Sequence, residues 1–308
     1  MSVISVKNLT KKFGNFTAVD NISFNVENNR VVGFLGPNGA GKTTTLRMIV
    51  GLSKPTSGEI SLNDNKIEFG NSGLNNLFGY LPELPAFYNW MKGKEYLSFI
   101  ADTFNISKKQ QKTKITEVLK LVNLENAQNK RIGAYSGGMK QRLGIAQALI
   151  NDPKILILDE PVSALDPIGR KEVLNVIQTL SANKTIFLST HILSDVDKIC
   201  DDVVIINEGK IAAASSLPEL KEKYTKLILY VEFSENPAKL VPKLKKVPWA
   251  LRVEVDATSA KIWLRSEDDV RKNLPIKFFA DESVGIYSYG IKLPEIEDLF
   301  LDLVRKGK

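Results

Sequence analysis

The stretch Gly33–Leu46, GFLGPNGAGKTTTL, decides how the rest of the chain is read. It begins inside an apolar run, Val31–Leu35, and passes into residues of helical spacing that continue to about Val50, where Gly51 and Pro55 end them. Gly36, four further residues and then Gly41-Lys42-Thr43 have both the spacing and the strand-loop-helix setting of a phosphate-binding loop. Each residue type has a separate task. Glycines let successive backbone N–H groups turn inward around an anion, and the start of the helix adds its positive end. Lys42 supplies a point charge for β- and γ-phosphates, and Thr43 a hydroxyl for Mg²⁺.

Such a loop needs an acidic metal ligand at the end of a neighbouring buried strand, and KILILDEP supplies it. Asp159 takes that role; Glu160, one residue on, is placed to polarise an attacking water as general base. AYSGGMKQRL is harder to place, because Ser136-Gly137-Gly138 opens a second helix, Met139 to Ile150, whose positive N-terminus has no obvious phosphate. STHIL, Ser189–Leu193, contains the only histidine in 308 residues. Taken alone, His191 reads either as a structural residue at a strand end or as a group that contacts phosphate or handles a proton.

Composition narrows the class. Apolar residues make up 43% and charged residues 25%, as in soluble globular proteins, and the longest apolar runs are far too short to span a membrane. The stretch MSVISVKNLTKKFG alternates like a strand and has no apolar core followed by a small-residue cleavage site, so no secretory signal is expected. One cysteine, Cys200, excludes an internal disulfide, fits a cytoplasmic setting and reads as a small buried apolar residue. The net charge of +7 comes from scattered basic residues, and the densest runs, around Lys108–Lys114 and Lys243–Lys246, read as solvated helix faces. No nucleic-acid partner is expected from them.

Along the first two-thirds, short β-branched runs alternate with amphipathic stretches, the pattern of an α/β domain with a largely parallel sheet. Val31–Leu35, Ile155–Leu158, Ile186–Leu188 and Val203–Ile206 are apolar on both faces and read as strands buried between layers. From about Pro85 to Tyr135, helical spacing at Tyr96, Ile100, Phe104 and at Ile115, Val118, Leu119, Val122 marks a helical insertion. Beyond Pro218 the order becomes strand (226–233), helix (237–245), strands (251–255, 261–264), helix (267–272), strand (284–289) and a final helix (293–305). That is a ferredoxin-like βαββαβ module with an appended helix. The expected domains are therefore 1–218 and 219–308.

Six motifs, the aromatic of KKFGNF and the five that come after it, occur in the family's order and resemble the ATP-binding subunit of ATP-binding cassette (ABC) transporters over roughly residues 1–218. LGPNGAGKTT resembles the Walker A loop, YSGGMKQRL the signature, ILILDEP the Walker B strand, SALD (Ser163–Asp166) the D-loop and STH the switch-histidine loop. The resemblance implies a P-loop NTPase fold and ATP and Mg²⁺ as cofactors. It also implies ATP contacts from Gly36, Pro37, Asn38, Gly39, Ala40, Gly41, Lys42, Thr43 and Thr44, and adenine stacking on Phe13 of KKFGNF, whose other reading is a core position of the N-terminal strand pair. Two cassettes of this family pack head to tail, so Ser136, Gly137, Gly138 and Asp166 are expected to act on the second subunit's ATP, and His191 on the γ-phosphate. The family's glutamine loop is YLPE here, with Glu83 as a third metal-side oxygen beside Thr43 and Asp159, and the signature departs from Leu-Ser-Gly-Gly-Gln.

Phe87, Tyr88 and Trp90 border the insertion where the family receives a cytoplasmic helix of its membrane partner, or else pack locally. YLPE, YSGGMKQR and LPEIEDLFLDLV are most similar to the subset serving ABC-2-type exporters of drugs, antibiotics or ions. The resemblance thus implies an ATPase that powers integral membrane subunits as a homodimer, peripheral on the cytoplasmic face of the membrane. The alternatives are an importer ATPase with a regulatory C-terminal domain and a soluble, non-transport ABC ATPase. The single cassette and the lack of sustained heptads weigh against the last.

Overall fold

Residues 2–71, 76–163, 165–223, 227–292 and 296–306 are described in the computed structural model of the chain. The chain divides into two compact units, Met1–Leu217 with Leu303–Lys308, and Pro218–Asp302. The first runs β1 (Ser2–Phe13), β2 (Phe16–Glu27), β3 (Val31–Leu35), α1 (Lys42–Ile49), β4 (Ser57–Leu62), β5 (Asn65–Lys66) and β6 (Phe78–Leu81). It continues with α2 (Gly93–Thr103), α3 (Lys108–Leu121), α4 (Gly137–Leu149), β7 (Ile155–Asp159), α5 (Pro167–Ser181), β8 (Thr185–Thr190), α6 (Leu193–Ile199), β9 (Asp202–Asn207) and β10 (Lys210–Ser216).

The four runs apolar on both faces lie side by side, in a six-stranded sheet of order β10-β9-β3-β8-β7-β6. Its pairs are parallel except for the edge pair β9–β10. Alternation along each strand feeds two cores. Val31, Leu156, Leu158, Ile186 and Leu188 pack with α2–α5, while Val32, Phe34, Ile155, Ile157, Phe187 and Val204 face α1 and an antiparallel sheet of order β2-β1-β4-β5. Phe24, Phe34 and Phe187 stack at 5.4–5.6 Å between centroids and join the two sheets. Cys200 is half-buried, with its sulfur against Gly33, and burial followed by the nearby aspartates pushes its thiol pKa up.

Two expectations need correction here. Asp159 ends β7, which is separated from β3 by β8, so the acidic strand is not the immediate neighbour of the phosphate-loop strand. The signature helix begins at Gly137 rather than Met139, because Ser136 caps it by accepting a hydrogen bond from the Met139 amide (3.2 Å), which places both glycines in the first turn. The antiparallel sheet is legible in the sequence only as N-terminal alternation: its turns rest on scattered left-handed Asn and Gly residues such as Gly14 and Asn63. Within the expected insertion, α2 and α3 bury Tyr96, Ile115, Val118, Leu119 and Val122, and half-bury Ile100 and Phe104.

Helix α7 (Leu217–Lys223) leads into β11 (Ile228–Phe233), α8 (Val241–Leu244), β12 (Ala250–Asp256), β13 (Ser259–Leu264), α9 (Glu267–Arg271), α10 (Leu274–Asp281), β14 (Ile286–Lys292) and α11 (Ile296–Lys306). The sheet order β12-β13-β11-β14, antiparallel throughout, is that of the ferredoxin-like βαββαβ module. The appended helix is fastened to it by buried Asp298, which accepts from Tyr230 and Lys261 (3.1 Å each). The sequence reading stopped the second helical segment at residue 272 and missed α10. Its Pro275 reads as a breaker, yet it lies in the first turn, where no intrahelical N–H is needed. The expected strand start at 226 and helix start at 293 lie outside the described residues.

Candidate functional site

Strand β3 delivers the chain at Leu35 into a loop that only glycine can follow at two points. A Cβ on Gly36 would lie 2.4 Å from the Ile206 carbonyl oxygen, and one on Gly41 (φ 107°) would lie 2.6 Å from that of Ala18. Gly41 is also the N-cap of α1 and brings no side chain to the first-turn amides, which therefore face the loop's concavity. A cleft of about 450 Å³ opens there, lined by Phe13, Phe16, Ala18, Asn38, Gly39, Gly41, Lys42, Thr43, Thr44, Glu83, Glu160 and His191. The chain thus brings Phe13, the phosphate loop, Glu83, Glu160 and His191 together.

Asp159 does not itself line the cleft but lies behind Thr43, which does. Register across β7 and β8 sets Asp159 opposite Ser189. Asp159 Oδ1 accepts from Ser189 Oγ (2.7 Å) and Thr43 Oγ1 (3.2 Å), while its buried Oδ2 finds no partner among the described residues. Burial raises the Asp159 pKa, and those two hydroxyls draw it back. Tyr80 on the neighbouring β6 is pushed up to about 12, chiefly by burial and then by the charge of Asp159. A buried carboxylate oxygen left unsatisfied beside a threonine hydroxyl is an oxygen donor set that fits Mg²⁺.

Glu160 is buried, with its backbone in the left-handed region (φ 47°). Its Oε1 lies 3.3 Å from Lys42 Nζ, and its Oε2 accepts from His191 Nδ1 at 3.0 Å. Lys42 also donates to the Gly36 carbonyl (2.8 Å). The turn that brings His191 out of β8 is held by Thr190, whose hydroxyl accepts from the Ile192 amide (2.9 Å). The imidazole remains 42% exposed, on the cleft wall.

The other expected residues are elsewhere. Ser136, Gly137, Gly138 and Asp166 line a second cleft of about 410 Å³, between the N-termini of α4 and α5, with Leu165, Ile168, Gly169 and Glu172. Asp166 caps α5 by accepting from the Gly169 amide (3.1 Å). Ala164 of SALD lies outside the described residues. Phe13 is 54% exposed, which overturns the core reading of that residue. Phe16, 64% exposed and paired with Phe13 across the β1–β2 turn, was missed, although KKFGNF sets an aromatic on each side of the turn. Among the aromatics after Glu83, Phe87 packs edge-on against Tyr96 (5.2 Å), whereas Trp90 is 71% exposed.

The family model described as ABC transporter matches residues 19–163. Over 98% of this chain and 99% of its own length, the ABC transporter ATP-binding protein YxlF of Bacillus subtilis (strain 168) is 40% identical.

The chain belongs to the ABC transporter ATP-binding family.

The bacitracin transport ATP-binding protein BcrA of Bacillus licheniformis is 35% identical over 99% of this chain and 98% of its own. Among solved structures, the ATP-binding subunit of an ABC transporter covers 72% of this chain and 93% of its own at 30% identity, with a TM-score of 0.65. A dimeric bacterial ABC transporter cassette, MJ0796, covers 70% of this chain and 98% of its own at 26% identity, with a TM-score of 0.63. The first unit is accordingly an ABC cassette, a nucleotide-binding P-loop ATPase domain. No helix among the described residues is long and apolar enough to cross a membrane.

Proposed function

We propose that this ABC cassette hydrolyses ATP as one half of a head-to-tail homodimer and so powers the membrane subunits of an exporter from the cytoplasmic face of the membrane. The observation that carries the reading is the division of one motif set between two clefts. The phosphate loop, Glu160 and His191 share one, and the signature serine and glycines share the other with Asp166. A second copy turned head to tail would bring each signature helix start to the other subunit's γ-phosphate. The export direction is supported by likeness to the bacitracin transport subunit along nearly its whole length, and exposed Trp90 and Tyr88 suit a membrane subunit's helix.

In the reaction, the loop amides and Lys42 hold the β- and γ-phosphates, and Phe13 stacks the adenine. A magnesium ion held by Thr43 and Asp159, with Glu83 at the cleft edge, would neutralise charge between the phosphates. Glu160 takes a proton from water as its oxygen attacks the γ-phosphorus and the bond to the ADP oxygen breaks. Lys42 now contacts Glu160; an incoming phosphate offers the ammonium a stronger anionic partner and returns the carboxylate to water. His191 donates to the transferring group, and the second subunit's Ser136 completes the cage.

Glu160→Gln tests this. Turnover should fall about 10²–10⁴-fold while ATP binding persists, and light scattering should show a dimer that forms in ATP. Normal turnover, or a monomer in saturating ATP, would sink the assignment.

A further inference from the structure

We infer that Ser189 is a positioning residue for ATP hydrolysis, holding the metal-side carboxylate and the general base in register through one hydroxyl. The inference rests on the roles proposed above for Asp159 and Glu160. Ser189 is fully buried at the end of β8, opposite Asp159 on β7. Its Oγ lies 2.7 Å from Asp159 Oδ1 and 2.9 Å from the Glu160 nitrogen. Donor chemistry fixes the direction of both bonds: an amide can only donate, so the hydroxyl accepts from Glu160 and gives its one proton to the carboxylate.

Each bond has a consequence for the site. Thr43 bonds the same Oδ1, so two hydroxyls hold that oxygen and leave Oδ2, buried and without a partner among the described residues, as the atom presented for coordination. The second bond secures the amide of Glu160, whose left-handed backbone (φ 47°) is one that side-chain-bearing residues adopt rarely. That conformation turns the Glu160 carboxylate toward Lys42 and His191. One hydroxyl therefore couples the orientation of the metal ligand to that of the base, as partners behind metal ligands do in general. His191 lies two residues further along, just beyond β8, so the strand and the turn that leaves it supply both the positioning group and the cleft-wall imidazole.

The test uses the full chain with Ser189→Ala, Ser189→Cys, which keeps the volume but bonds weakly, and Ser189→Thr, which keeps the hydroxyl. Glu160→Gln serves as reference. In the Ala and Cys variants kcat should fall about 10–100-fold with KM for ATP within about threefold. The Mg²⁺ concentration that half-saturates binding of a fluorescent ATP analogue should rise about tenfold. Hydrogen exchange at the Glu160 amide, followed without nucleotide or metal, should accelerate. Ser189→Thr should restore all three. If the Ala variant does not fold, the Cys variant decides. Turnover within threefold of wild type in the Ala or Cys variant, or equal losses in the Thr variant, overturns the inference. Should Glu160→Gln itself retain turnover, the reading beneath has failed; an inactive Glu160→Gln beside an active Ser189→Ala removes only the role of Ser189.

Discussion

Glu160 shows how much one backbone conformation carries. With φ at 47° its carboxylate meets Lys42 on one oxygen and His191 on the other, three residues that lie up to 149 positions apart in the chain. Phe13 and Phe16 present a simpler case, two exposed rings on the lip of the same cleft, with Lys11 Nζ 4.8 Å from the Phe13 centroid. A half-exposed aromatic ring at the lip of a phosphate-binding cleft suits a base, and stacking contributes about 1–3 kcal/mol per base. Phe13→Ala should therefore weaken ATP about 5- to 150-fold by calorimetry. Phe13→Trp should keep the affinity, and Phe16→Ala should have a smaller effect of the same sign. Unchanged affinity in Phe13→Ala would place the base elsewhere.

Helices α2, α3, α4 and α5 depend on a few polar contacts between their ends. Arg142, on the signature helix and buried, donates to the carbonyls of Val122 and Asn123 at the end of α3 and pairs with Glu172 of α5 (3.2 Å). Arg142→Ala would orphan the buried Val122 carbonyl and remove the bond to Asn123, a loss of about 1–3 kcal/mol in urea unfolding that Lys should not recover, because its single nitrogen cannot reach all three acceptors. At the other end of α3, Asp102 of α2 accepts from Lys108 (2.7 Å) and Gln111 (2.6 Å), and those bonds, the Lys108 bond foremost, lower its pKa. A depressed carboxylate pKa stabilises the fold above the unfolded value, and that contribution is lost as pH falls through the folded value. Asp102→Ala should thus melt lower than wild type at pH 7, with the gap closing below the ordinary carboxylate range near 3.8. A gap that stays constant with pH would assign the effect to packing.

For the molecule as a whole, the proposed head-to-tail pairing of the two clefts would make hydrolysis a property of pairs. Mixing Lys42→Ala with Ser136→Arg subunits should yield mixed dimers in which one composite site has both its phosphate loop and its facing signature intact. ATPase activity of the mixture should exceed that of either variant alone, approaching half of wild type per mixed dimer. No gain, with mixed dimers proven by differential tagging, would argue that the clefts do not complement one another.

Contiguous chemistry was legible from the residues alone. Gly36 to Thr44 requires backbone conformations that only its own glycines allow, and the four doubly apolar runs could only be interior strands. Such features depend on dihedral angles and hydrogen bonds within a few residues, so spacing predicts them. What only the tertiary structure decided is adjacency. A buried strand presents the same apolar pattern whichever strand lies beside it, and its neighbours are chosen by how the crossover helices pack. The sequence therefore did not place β8 between β3 and β7, nor set Ser189 under Asp159. It did not bring Phe16 to the cleft lip, reveal α10 behind its early proline, or give the clefts their separate positions. Each of these follows from contacts between segments distant in the chain, whose free energies no local pattern contains.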